Sequence, residues 1–187
     1  MRFQFDIHLS DEDYFKFNRF YTLYSPYGKK QALSLKLTVL LITLVFCVLS
    51  LLYGDFSREA WLGIIPMALA GGILFLFFDA FLVWTIKQNI KKMKKKGKLA
   101  YPPVAMLAFD DECFAEITPD EKSETKYTKI ERVSIVAGEA IYLHVSSVGA
   151  HILPDAAFAS HEERQAFVTF LADKCENIDL YAKKGRK

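Results

Sequence analysis

The chain has 187 residues, of which 52% are hydrophobic, 14% aromatic and 25% charged; 24 Lys and Arg against 22 Asp and Glu leave a formal net charge of +2. These fractions belong to a folded protein and exclude a disordered or collagen-like chain. The small net charge hides opposed blocks: residues 87–98 carry +7, residues 99–182 carry −9 and residues 183–187 carry +4.

Phe3, Phe5, Ile7 and Leu9 alternate with Arg2, Gln4, Asp6 and His8, the period of a half-buried strand. Ser10, with Asp13 three residues on, predicts a capped helix start. Tyr14, Phe17, Tyr21 and Tyr24 then follow at helical spacing as one aromatic face, read as core or as a belt near lipid.

Two apolar stretches come next. Leu37 to Tyr53 has no charge, and Ala60 to Ile86 has one, Asp79. About 20 apolar residues cover a bilayer core roughly 30 Å thick. The first stretch reaches that length from Leu33 if Lys36 snorkels outward. In the second, Trp61 and Trp84 lie far enough apart to mark the two interfacial levels, about 35 Å at the rise of a helix. A small domain does not enclose two such helices as core. The loop between them, Gly54 to Glu59, forces a hairpin whose outer flanks share one side. Those flanks hold Lys29, Lys30 and Lys36 before the first stretch, and Lys87, Lys91, Lys92, Lys94, Lys95, Lys96 and Lys98 after the second. Lysine-rich flanks resist translocation, so both termini are expected in the cytoplasm of a multi-pass inner-membrane protein. A signal peptide is not expected, because the first apolar block begins well inside the chain and no small-residue cleavage site follows it.

Pro102-Pro103 is expected to stop the helix after the lysines. Short strands are expected at 104–109, 113–118, 123–127, 130–136, 140–145 and 150–153, with a turn at Ala137-Gly138-Glu139. Ser160 and Glu163 repeat the capping spacing, and Phe167, Phe170, Leu171 and Cys175 mark one face of a closing helix. The fold class is therefore α+β with membrane helices: a transmembrane hairpin plus a small antiparallel sheet closed by a C-terminal helix. The segments are 1–28 (strand and helix), 33–86 (hairpin, about 33–53 and 60–86), 99–178 (sheet and helix) and a basic tail, 179–187. Strand 2–9 needs partners for its backbone and is expected to join the C-terminal sheet, with the hairpin inserted between them.

Three features could carry function. Asp79 is an acid within an apolar stretch, read as the partner of Lys36 across the hairpin or as part of an ion pathway. Ala68, Gly71 and Gly72 form a small-residue face that packs the hairpin or a second copy. Lys91, Lys92, Lys94, Lys95, Lys96 and Lys98 attract anionic lipid. They lack the interleaved aromatics of a nucleic-acid site, and none is expected. His8, His144, His151 and His161 share no metal spacing, Cys47, Cys113 and Cys175 form no C-x-x-C, and no phosphate loop or nucleophile elbow occurs. No catalytic residue, metal or cofactor is assigned.

The stretch 122–133 (KSETKYTKIERV), with Ala140-Ile141-Tyr142-Leu143, the segment 152–158 (ILPDAAF) and the final helix, resembles the YcxB-like family of bacterial membrane proteins. The likeness covers the C-terminal half well and the N-terminal part loosely. Tyr127 stands where members often carry Trp. The resemblance implies a two-helix anchor and a cytoplasmic domain of pleckstrin-homology type, with Tyr127, Ile130 and Phe158 in core roles. It implies no enzymatic activity. The expected function is a non-enzymatic membrane protein with a cytoplasmic interaction or regulatory domain, its partners being lipid and another protein or a second copy; the alternative is a small transporter or channel subunit acting as an oligomer.

Overall fold

The computed structural model describes residues 2–54, 57–99, 101–146 and 149–182. In chain order the elements are β1 (Phe3–His8), α1 (Asp11–Leu23), α2 (Pro26–Tyr53), α3 (Arg58–Leu76), α4 (Phe78–Lys95), β2 (Val104–Phe109), β3 (Cys113–Ile117), β4 (Lys122–Lys126), β5 (Arg132–Val136), β6 (Ala140–His144), β7 (Ala150–Pro154), α5 (His161–Lys174) and β8 (Ile178–Tyr181). The class is α+β. Two compact units are formed, one of Met1–Phe17 with Met93–Lys187, the other of Asn18–Lys92, so the boundaries fall inside α1 and α4.

The first unit is built on the pairing the lone N-terminal strand requires. β1 runs antiparallel to β2, with Phe5 opposite Leu107 and Ile7 opposite Ala105. β3 and β4 continue the sheet in the order β1-β2-β3-β4. A second sheet has the order β7-β6-β5-β8 and is mixed, because β8 lies parallel to β5. The expected single antiparallel sheet is thus two sheets. β8 also crosses the expected start of the tail at residue 179, and residues 183–187 lie outside the described residues.

The core gathers the inward residues of both sheets and one face of α5. Phe5, Ile7, Leu107 and Phe109 meet Val133, Ile135, Ile141, Leu143 and Leu153, closed by Phe167, Phe170 and Leu171. Phe167 is the hub: its ring centroid lies 4.9 Å from Phe5, 4.7 Å from Phe109 and 5.8 Å from Phe158. Tyr127, in a 3-10 turn after β4, is buried and donates its hydroxyl to the Asp110 carbonyl at 2.8 Å. β7 lies at a sheet edge and ends in Pro154, where a missing N–H costs no ladder bond. β5 and β6 are buried on both faces, since Phe17 of α1 packs over Tyr142 at 5.2 Å. This is why they read as near-continuous apolar runs.

Both caps form as spaced. The Asp13 N–H donates to Ser10 Oγ at 3.2 Å, and the Ser10 N–H donates back to Asp13 at 3.1 Å. At α5 the Glu163 N–H donates to Ser160 Oγ at 3.2 Å.

In the second unit α2 begins earlier than residue 33. Ser25 caps it, accepting from the Gly28 N–H at 3.0 Å, and Pro26 takes the first turn, where its missing donor is harmless. α2 packs against α3. Lys36 meets Phe75 and Thr43 meets Gly71, so the two helices run antiparallel. The stretch 60–86 is not one helix. It breaks at Phe77, and α4 leaves α3 at 73°. No Pro or Gly marks the break, and α3 continues through Pro66. What marks it is Asp79, which falls in the first turn of α4, where a carboxylate complements the positive helix end. By length and composition α2 could cross a membrane, and α3 with α4 passes the same test only as a bent pair. The loop expected at Gly54 to Glu59 lies partly outside the described residues.

Because β1 supplies two of the aromatic and aliphatic side chains at the centre of the core, Phe5→Ala in the full chain should cost about 3–5 kcal/mol in unfolding free energy. Gln4→Ala, at an exposed position of the same strand, should change it by less than about 0.5 kcal/mol. Denaturant titration of both variants checks the pair.

Candidate functional site

The lysine-rich segment is helical as far as Lys95. It ends at Gly97, with φ +66°, rather than at Pro102-Pro103. The Gly97 N–H donates to the Lys94 carbonyl at 3.0 Å and the Lys98 N–H to the Met93 carbonyl at 3.2 Å. These are the two bonds of a Schellman close, which needs a left-handed residue. Cationic side chains crowd the negative helix end, a favourable placement. Lys91, Lys92, Lys95, Lys96 and Lys98 are exposed. Lys94 differs: its ammonium bonds the Asp11 carboxylate at 2.5 Å, and Tyr101 donates its hydroxyl to the same carboxylate at 2.6 Å. The Lys94 bond, then the Tyr101 bond, hold the Asp11 pKa below the usual carboxylate value. Burial and that hydrogen bond push Tyr101 up to about 12. Lys94 is therefore a strut between the start of α1 and the end of α4.

The other expected sites separate. Lys36 Nζ lies 4.7 Å from the Phe75 ring centroid, a cation–π contact, and forms no ion pair with Asp79 among the described residues. Asp79 is exposed. Of the small residues, Gly71 alone makes the close approach. A Cβ there would lie 2.6 Å from Thr43 Cγ2 and 2.8 Å from its Oγ1, which itself donates to the Val39 carbonyl. Gly72 has nothing within 4 Å of such a Cβ, and Ala68 is exposed, so these two do not face α2.

Strand pairing brings together groups that the sequence keeps apart. Ser134 on β5 and His144 on β6 share the outer face of their sheet, and His144 Nε2 lies 3.2 Å from Ser134 Oγ. Ser134 is 0% exposed and His144 6%. A hydroxyl sealed in this way cannot meet a substrate, so the pair is a satisfied buried contact rather than a nucleophile and base. Burial, and then the nearby Arg132 charge, lower the His144 pKa to about 4. His151 on β7 lies 3.2 Å from Glu116 on β3 and makes an edge contact with the Phe114 ring, linking the two sheets. No spacing rule flags either histidine; only the strand register places them. Burial pushes the Cys175 thiol up to about 11, which leaves it inert. Among the described residues no group of three or more His, Cys, Asp or Glu could hold a metal.

Residues 109–171 match the family model described as YcxB-like protein. The C-terminal part of the chain is thus a YcxB-like region, running from Phe109 at the end of β2 to Leu171 in α5. Neither curated proteins nor solved structures yield a match.

Gly71→Leu should loosen the α2–α3 contact while Gly72→Leu should not. A disulfide engineered between the two helices should form several-fold less completely in the first variant and normally in the second. His144, with a folded pKa of about 4 against 6.5 in an open chain, binds its proton less well when folded. Its contribution is complete above about pH 6.5 and is lost as pH falls toward 4, a difference of about 3 kcal/mol for a shift of this size. His144→Gln should remove that share of the acid destabilisation, read as the difference between the two pH–stability curves.

Proposed function

We propose that the chain is a non-enzymatic membrane protein that crosses the bilayer twice, through α2 and α3. Its lysine-bearing side and both termini face the cytoplasm, where the YcxB-like region serves as an interaction or regulatory module. The observation that carries this reading is the β1–β2 ladder. Residues 9 and 104 are neighbours in one compact unit, with the Leu9 N–H donating to the Pro103 carbonyl at 3.0 Å. The segment between them must therefore start and finish on the same side of any membrane. An odd number of crossings is impossible, so if α2 crosses, a second crossing follows. The antiparallel partner of α2 is α3. Leu37 to Tyr53 and Ala60 to Leu76 are uncharged stretches of equal length, each about 26 Å as a helix, near the lower limit for a core about 30 Å thick. Lysines on the flanks, Lys29 and Lys30 in the first turns of α2 and Lys91 to Lys98 at and just beyond the end of α4, favour the cytoplasmic side.

For the soluble region we propose a pleckstrin-homology-like arrangement. It is supported by two successive antiparallel meanders, β1 to β4 by spatial order and β5 to β7, followed by α5; β8 is an addition to that pattern. One surface open to a partner is the edge strand β4, whose Lys122, Ser123 and Glu124 are exposed. The Lys122–Glu124 pair blunts indiscriminate pairing at that edge, so a partner strand there has to be charge-matched.

The test is extraction and sidedness of the full chain in a variant with Cys47, Cys113 and Cys175 replaced by Ser. The protein should resist carbonate extraction. A cysteine placed at Ser57 should react with an impermeant maleimide from outside intact cells, and one at Lys122 only after the membrane is opened. Release by carbonate, or opposite reactivity of the two positions, overturns the reading.

A further inference from the structure

Resting on the two-crossing reading, we propose that α4 does not continue the second crossing. It lies along the lysine-rich side of the bilayer and presses one face onto anionic lipid. That face is formed by Phe77, Phe81, Trp84, Lys91, Lys92 and Lys95.

Three observations converge on it. The first is depth. Lys36 immediately precedes the uncharged part of α2, and its ammonium sits over Phe75, next to the last residue of α3. An ammonium stays at the interface rather than in hydrocarbon. The C-terminal end of α3 is therefore at the interface, and the crossing is complete before Phe77.

The second is direction. With α3 near the bilayer normal, a bend of 73° brings α4 to within about 20° of the membrane plane. A helix that begins at the interface and runs in this direction does not re-enter the core.

The third is the face itself. At about 100° per residue the six residues fall within an arc of about 100°. The Phe81 N–H donates to the Phe77 carbonyl at 2.9 Å, so Phe77 keeps helical register with α4. Phe77, Phe81 and Trp84 are 64%, 45% and 56% exposed, and the Phe81 and Trp84 rings stack at 6.1 Å. Lys91, Lys92 and Lys95 are exposed on the same arc, while Leu82, Ile86, Ile90 and Met93 on the other side are half-buried. Aromatic rings followed by lysines on one face of a helix match the acyl–headgroup boundary of an anionic surface. Asp79 falls about 160° from Phe81, on the side away from lipid. Each near-surface lysine favours anionic lipid by about fivefold.

The experiment uses the full chain, reconstituted in phosphatidylcholine vesicles with and without phosphatidylglycerol. Single nitroxide labels are placed in turn at positions 65–70 of α3 and 78–92 of α4, and their depth is read from relaxation by oxygen and by an aqueous nickel complex. Circular dichroism selects labelled variants that keep the parent helicity. We expect the α3 labels deep. Depth along α4 should oscillate with a period of about 3.6 residues, deepest at 81 and 84 and never reaching the α3 values. In the triple variant Lys91→Gln, Lys92→Gln, Lys95→Gln, the response of the label at 84 to phosphatidylglycerol should disappear. Deep α3 labels with depth changing steadily along α4 overturn the in-plane helix and leave the crossings intact. Shallow α3 labels overturn the crossings, and the in-plane helix with them. Oscillation that ignores phosphatidylglycerol in the parent chain overturns the anionic specificity.

Discussion

The backbone ladder between β1 and β2 is the constraint on which the rest of the molecule depends. It joins the first strand to a partner on the far side of every helix but the last. An isolated strand leaves all its backbone groups without ladder partners, so β1 has to find β2 before the first sheet can close. Once it does, the inserted helices become a loop whose ends are tied. The strut from Lys94 and Tyr101 to Asp11 reinforces the tie where α1 begins and α4 ends. These are exposed or partly exposed contacts, weak in themselves. The aromatic packing of Phe5 around Phe167 provides the stronger hold. Tied ends also restrict any membrane crossings to an even number, zero included, a constraint that no hydropathy plot supplies.

The family match shows the same dependence from the other side. Residues 109–171 contain β3 to β7 and most of α5, yet lack β1, nearly all of β2 and β8. Without β1 and β2 the first sheet is a two-stranded hairpin, which is marginal in water. Phe167 would lose the rings of Phe5 and Phe3, both beyond the matched segment. The matched segment therefore holds most of a core that β1 and β2 complete. The completing strand comes from the other end of the chain.

Local rules were legible in the sequence wherever a residue acts on its immediate neighbours. The alternation of Phe3, Phe5 and Ile7, the Ser10–Asp13 and Ser160–Glu163 caps, and the face of Phe167, Phe170 and Leu171 all appear as spaced. The joining of strand 2–9 to the C-terminal sheet followed from counting unpaired backbone. What escaped depends on register or on competition between signals. Ser25-Pro26 is a helix start by ordinary rules, whereas the boundary near Leu33 marks only where the apolar run begins. Gly97 stops α4 before the prolines can. Two sheets rather than one, and the parallel docking of β8, follow from long-range packing with no local mark. The same is true of the Ser134–His144 contact, which exists only because β5 and β6 pair in one register.

The break at Phe77 shows why an apolar run is an ambiguous signal. A helix crossing a bilayer and a helix lying in its surface both carry leucine, phenylalanine and tryptophan, so a window average treats them alike. What separates them is how charge is distributed around the axis. An acid in the interior of a crossing helix must be buried against a partner, and Asp79 is instead exposed in a first turn. Lys36, the expected partner, is held one helix end away over Phe75. As part of one span over 60–86, Asp79 would be an anomaly that calls for a partner such as Lys36 or for an ion pathway. With the bend as the boundary between two helices, Asp79 is an exposed helix-start carboxylate, and no special chemistry is needed to account for it.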